Sequence, residues 1–283
     1  MFRRVQPNLG ERNGSGLAVT WLGHSTVLIQ TAEATILTDP VWADRVSPFR
    51  FLGPRRWVPA PLALEALPRL DLVLLSHNHY DHLDQATVRR LSELQPQVPW
   101  VTPLRLSGSL RRWGVREAIE LDWWDVYRAG AVEIGSTPAM HFSARGLLDR
   151  NRTLWCGWGI RLGGRRVFFA GDTGYHPEFP EIRKRFGPFD LVLLPVGAYE
   201  PRWFMRPVHM NPEEAVLAYR DLIPDSGGSP VMVPIHWGTY KLTDEPMDEP
   251  PGRTRQAWQA SGLPEGSLWV LQHGETRQLG RGP

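Results

Sequence analysis

Cysteine is nearly absent from the 283 residues: Cys156 stands alone, which excludes an intramolecular disulfide and any metal cluster built on thiolates. A metal, if bound, must rest on histidine and carboxylate. No stretch approaches the ~20 consecutive apolar residues of a membrane-crossing helix, and no apolar run follows Arg3 and Arg4 as it would in a secretory signal. These absences predict a cytoplasmic chain, with peripheral contact to a membrane face left open. An excess of one charge is lacking too: the formal net charge is +2 at pH 7, although the pI is about 8.9. That balance offers no concentrated basic stripe and argues against nucleic acid as a partner. Lysine is scarce, since of 32 basic residues all but Lys184 and Lys241 are arginine. Low-complexity linkers are missing, so the 42% of hydrophobic residues suffice for one sizeable core. We expect a short N-terminal segment, residues 1–18, and a single domain over 19–283.

What is present alternates between strand and helix signals. From Leu17 the chain reads LAVTWLGHSTVLIQTAEATILTDPVW, runs of Val, Ile, Thr and Leu that predict a strand pair leading into a loop. Prolines 48, 54, 59 and 61, mixed with Trp, Phe and Arg, predict a long irregular segment over 41–61. The string DLVLL occurs at 71–75 and again at 190–194, each a wholly apolar run suited to a strand buried on both faces. The repetition hints at an internally duplicated sheet core. After the first copy, Asp84 reads as the N-cap of a helix, DQATVRRLSEL. After the second, Asn211 and Pro212 open NPEEAVLAYRDLI. Layered α/β architecture follows.

Histidine is uncommon, nine in all, yet His77, His79 and His82 fall inside SHNHYDHLD. In an extended segment residues two apart point the same way, so His77 and His79 aim at one point beyond the strand end. Asp81 and His82 follow at the turn into the helix and face a second point nearby. Two adjacent metal positions are implied. His141 in STPAMHFS, Asp172 in FFAGDTG and His236 in VPIHWG each follow apolar residues and precede small or polar ones, the setting in which a side chain leaves a sheet into a cleft. If Asp172 bridges, three histidines and a carboxylate complete one metal, and two histidines and two carboxylates the other. Such donors suit zinc, with iron or manganese not excluded. An isolated histidine after an apolar run is ordinarily a hydrogen-bonded structural residue; the H-x-H-x-D-H cluster argues against that here.

These residues, together with TWLGHSTV, LTDP, LGPRRW, ELDWW, GAYEPRWFM, NPEEAV, IHWGTY and HGE, resemble the metallo-β-lactamase fold superfamily. Within it the chain closely resembles the N-acylphosphatidylethanolamine-hydrolysing phospholipase D branch. The resemblance implies a four-layer αββα sandwich and two zinc ions, one on His77, His79 and His141, the other on Asp81, His82 and His236, with Asp172 between them. It implies a phosphodiesterase in which a hydroxide shared by the two ions attacks phosphorus, Asp172 holding the ions and Asp81 orienting the water. Tyr80 and His209 match positions near the substrate head group, and Asp39 and His24 are candidates to orient the ligands from behind. The expected partner is a phospholipid or small phosphodiester, and a second copy of the chain is a further partner the resemblance allows. A lactonase of the ascorbate-6-phosphate type is the alternative on the same fold, and a non-enzymatic metal-binding scaffold a lesser one. Substrate choice is expected to lie in loops 41–61 and 143–155. Arginine-flanked aromatics, among them Trp42, Phe49, Phe51, Trp57, Trp203 and Phe204, suit a lipid interface.

Overall fold

The computed structural model describes residues 2–9, 16–49, 51–224 and 230–280. The β-branched runs near its start form an antiparallel meander of Leu17–Gly23 (β1), Thr26–Gln30 (β2) and Thr35–Thr38 (β3). The chain then passes without helix or strand through 41–63 apart from Arg50, which lies outside the described residues. Its prolines remove the donors a sheet would need there. Leu72–Leu74 (β4), Gln85–Leu94 (α1), Trp100–Pro103 (β5), Ser107–Arg112 (α2) and Ala118–Leu121 (β6) follow, and β3 to β6 run parallel.

A second antiparallel set opens the other half: Val126–Ala129 (β7), Val132–Thr137 (β8), Gly157–Leu162 (β9) and Arg165–Phe169 (β10). Phe179–Phe186 (α3) leads to Leu191–Pro195 (β11), and a short turn of helix, Arg202–Met205 (α4), to Pro212–Leu222 (α5). Val231–Ile235 (β12), Glu249–Ala260 (α6) and Thr276–Leu279 (β13) complete the described chain. Seven strands lie in the order β13-β1-β2-β3-β4-β5-β6 and six in the order β12-β11-β10-β9-β8-β7.

Alternation along the strands creates the layers. In β2, Val27 and Ile29 join the core between the sheets while Leu28 joins the cluster shared with Leu83, Val88 and Leu91 beside α1. On the other side Ile182 of α3, Tyr219 of α5 and Trp258 of α6 pack with the second sheet. Helices therefore cover both outer faces, giving the expected αββα sandwich. Both predicted caps form: Asp84 accepts from the backbone of Ala86 and Thr87, and Asn211 forms a capping box with Glu214.

The repeated DLVLL occupies equivalent places. β4 sits between parallel neighbours β3 and β5, and β11 between β10 and β12. The leading aspartates make the same contacts: Asp71 N–H donates to Thr35 O and its carboxylate accepts from Thr35 N–H, both at 2.8 Å. Asp190 does the same with Arg166, again at 2.8 Å in each direction. Each aspartate fixes the register of its strand against the preceding one.

Of the N-terminal segment, Phe2 packs against Trp237 and His273, and Val5 N–H donates to His273 O. Residues 1 and 10–15 lie outside the described residues.

Candidate metal centre

Six of the candidate residues follow the C-terminal ends of strands on one edge of the sandwich: His24 after β1, Asp39 after β3, His77 after β4, His141 after β8, Asp172 after β10 and His236 after β12. Of nine histidines, seven converge there, leaving His176 and His273 outside. His24, Asp39 and His236 hold positive φ angles of 54°, 34° and 61°, a region uncommon for side chains with a Cβ and costing on the order of 1 kcal/mol or more each. Backbone hydrogen bonds hold them there: His24 N–H to Thr239 Oγ1, Asp39 N–H to Leu74 O and His236 N–H to His24 O.

Hydrogen-bond partners set the ring orientations. His82 Nδ1–H donates to Asp39 Oδ2 at 2.7 Å, and His141 Nδ1–H to Val208 O at 2.9 Å. Ser76 Oγ–H donates to Asp39 Oδ2 at 2.6 Å, so the same hydroxyl accepts from His77 Nδ1–H at 2.9 Å. In all three rings Nε2 faces the interior, with a free lone pair in His77 and His141. His77 Nε2 and His141 Nε2 lie 2.9 and 3.1 Å from His79 Nδ1. This is near the roughly 3.3 Å edge expected when three nitrogens share a tetrahedral zinc.

The second group centres on carboxylates. Asp81 Oδ2 lies 3.5 Å from both His82 Nε2 and His236 Nε2, and 2.9 Å from His24 Nε2. Asp172 Oδ2 lies 3.0 and 3.1 Å from His82 Nε2 and His236 Nε2, and 3.9 Å from His77 Nε2 and His141 Nε2. One oxygen thus stands between both groups. His82 Nε2, His236 Nε2 and Asp172 Oδ1 are buried without a hydrogen-bond partner. Buried polar atoms rarely stay unsatisfied, and inward lone pairs on nitrogen and oxygen with no thiolate are the donor set a divalent ion completes. The residues fit such ions.

Electrostatics divides the two groups. Burial, reinforced by neighbouring rings, pushes His77 and His141 well below the usual histidine range. Burial also pushes Asp172 and Asp81 upward, but His236 and His82 outweigh it and hold both carboxyls well below theirs. Reciprocally, His82 is raised well above normal and His236 to about 9, the carboxylates overcoming burial. His24 is lowered to about 3 by burial and by His236. A divalent ion held by the second group would compete with protons there, whereas burial favours the neutral rings a metal needs in the first.

The remaining predicted residues sit close by. His209 is buried, its Nε2 4.0 Å from Asp172 Oδ2, its Nδ1 unpartnered and its pKa lowered to about 4 by burial. Tyr80 spends its hydroxyl on Arg145 O at 3.0 Å, with the Arg145 guanidinium 3.9 Å from its ring centre. Arg202 donates to His209 O and pairs with Glu214. Trp42 is partly buried and donates to Leu62 O. Cys156 is buried and its thiol pushed up by burial, so it takes no part in this chemistry. Sequence reasoning missed Ser76, whose signal was its place immediately before His77, and the exposed pair Leu147 and Leu148 at the tip of the loop after His141.

Residues 34–237 match the family model of the beta-lactamase superfamily domain, a span that holds every candidate ligand. The chain belongs to the metallo-β-lactamase fold superfamily. Within this superfamily of metal-dependent hydrolases it is 41% identical over 273 residues to N-acyl-phosphatidylethanolamine-hydrolyzing phospholipase D 1 of Caenorhabditis elegans, covering 92% of this chain and 75% of that protein. It is 47% identical over 248 residues to an uncharacterized protein of Mycobacterium tuberculosis, covering 87% of this chain and 65% of that one's length. Igni18, a metallo hydrolase of Ignicoccus hospitalis, superposes with a TM-score of 0.68 at 23% identity over 94% of this chain and all of its own, a likeness of fold. No helix among the described residues is long and apolar enough to cross a membrane.

Proposed function

We propose that this metallo-β-lactamase fold hydrolase is a dinuclear phosphodiesterase of phospholipase D type, acting on N-acylphosphatidylethanolamine-like lipids. The observation that carries the reading is the pair of ligand groups on either side of Asp172 Oδ2, joined to the likeness to the nematode phospholipase over three quarters of its length. His77, His79 and His141 would hold one divalent ion, zinc being the best match to the donors, and Asp81, His82 and His236 the other, with Asp172 reaching both. Bound there, such a pair lowers the pKa of water and neutralises charge on phosphodiester oxygens.

The chain's own side chains do the rest. Asp39 and Ser76 keep the His82 and His77 rings turned inward. Asp81 orients the attacking water and relays its proton to the ethanolamine oxygen as its bond to phosphorus breaks, and His24, 2.9 Å from Asp81 Oδ2, steers that carboxylate. His209 and Tyr80 border the space a head group would enter. The products are phosphatidic acid and the N-acylethanolamine alcohol.

A lipid substrate also needs a way out of its bilayer. Three segments carry exposed apolar side chains: Phe49, Phe51 and Leu52; Leu147 and Leu148; Trp203 and Phe204. Peripheral docking on a membrane is part of the proposal, since such rings and aliphatic tips suit the headgroup boundary. The test is turnover of N-acylphosphatidylethanolamine, bis-p-nitrophenyl phosphate and a lactone, side by side. Release of N-acylethanolamine is expected. Turnover of the small diester or the lactone alone would remove the lipid assignment.

A further inference from the structure

We propose that Arg145 is a positioning residue that clasps the ligand-bearing turn 78–83 and ties it to the loop following His141. The assignment rests on the metal reading above. A single nitrogen, Arg145 Nη1, donates to Asn78 O at 2.8 Å and to Leu83 O at 2.6 Å. His79, Asp81 and His82 all lie between those two carbonyls. Inside the turn, His82 N–H and Leu83 N–H both donate to His79 O, at 3.1 and 2.8 Å. The carbonyls on either side take their donor from Arg145, as buried backbone groups require. A shift of the turn along the chain therefore stretches a charge-assisted hydrogen bond.

The clasp is itself held. The guanidinium lies 3.9 Å from the centroid of the Tyr80 ring, and Tyr80 Oη–H donates to Arg145 O at 3.0 Å, so the two residues grip each other across the turn. The Arg145 and Gly146 N–H groups both donate to the Asp149 carboxylate, and Ser143 Oγ–H donates to Thr153 O. The guanidinium thus projects from a built loop that also carries Leu147 and Leu148 at its tip. On this account Tyr80 serves the ligand turn through Arg145 as well as bordering the substrate space.

The test compares wild type, Arg145→Lys and Arg145→Met. Zinc affinity is measured by competition with a chromophoric chelator, and kcat and KM on bis-p-nitrophenyl phosphate, with circular dichroism melts to establish folding. Arg145→Met is expected to lose about 10-fold or more in zinc affinity, with kcat falling and KM holding. Arg145→Lys keeps a donor but not the planar stack on Tyr80, and falls between. Wild-type affinity and kcat in a folded Arg145→Met would overturn the assignment. If Arg145→Met does not fold, Arg145→Lys decides: reduced zinc affinity in the folded chain supports the clasp, and wild-type affinity refutes it. A wild-type chain that takes up no zinc at any concentration would instead overturn the metal reading, and the clasp with it.

Discussion

At the residue scale, the two histidines outside the centre report chiefly on burial, which lowers His176 to about 4. His273 is buried, with its pKa lowered to about 3 by burial and by the Arg56 cation, and its Nε2 lies 3.0 Å from Thr239 Oγ1. A histidine depressed in the fold gives its full stabilising contribution above its unfolded pKa, near 6.5. That contribution is lost as pH falls toward the folded value, because the unfolded chain takes up the proton first. Between pH 6.5 and about 3, His273 is expected to steepen the loss of stability by about 1.4 kcal/mol per pH unit. Urea unfolding of wild type and His273→Gln across that range checks it; parallel pH profiles would contradict it. The residues that converge at the centre were legible in the sequence because His77, His79, Asp81 and His82 share the recognisable spacing H-x-H-x-D-H, and because His141, Asp172 and His236 each follow an apolar run. Ser76 and Arg145 were not. Their roles depend on distances across the fold, which spacing along the chain does not encode.

At the element scale, the centre is built from strand ends, and the loops leaving them are packed without slack. Gly171, between β10 and Asp172, has φ +62°, and a Cβ there would lie 2.7 Å from Ser76 Cβ and 2.9 Å from Cys156 O. Any side chain at 171 would push the Asp172 loop away from Ser76, which orients His77. Gly171→Ala is expected to cost about 1–3 kcal/mol through strain and overpacking, with zinc affinity lowered too. Thermal melts with and without zinc measure both; an unchanged melting temperature would show that the loop has room. Strand and helix existence followed from alternation and caps, and the aspartates that open each DLVLL, Asp71 and Asp190, explain why the repeat was visible as a pattern. Which sheet each copy joins was not visible, because an apolar run of five residues carries no record of its neighbours.

At the scale of the whole molecule, the candidate centre lies along one edge of the sandwich. The candidate ligands follow strand ends of both sheets, and exposed apolar side chains stand at Phe49, Phe51 and Leu52, at Leu147 and Leu148, and at Trp203 and Phe204. The fold class was legible from alternating elements and the absence of a linker. Of the arginine-flanked aromatics, Phe49, Phe51, Trp57, Trp203 and Phe204 are exposed, whereas Trp42 is partly buried and donates to Leu62 O. Aromatic composition alone does not distinguish a core ring from a surface one. The central claim is that two ions share Asp172, and metal content per chain, measured by elemental analysis after zinc loading and gel filtration, tests it most directly. Two zinc ions per wild-type chain and fewer in a folded Asp172→Asn are predicted; an equal content in both chains, or none in wild type, would contradict the account.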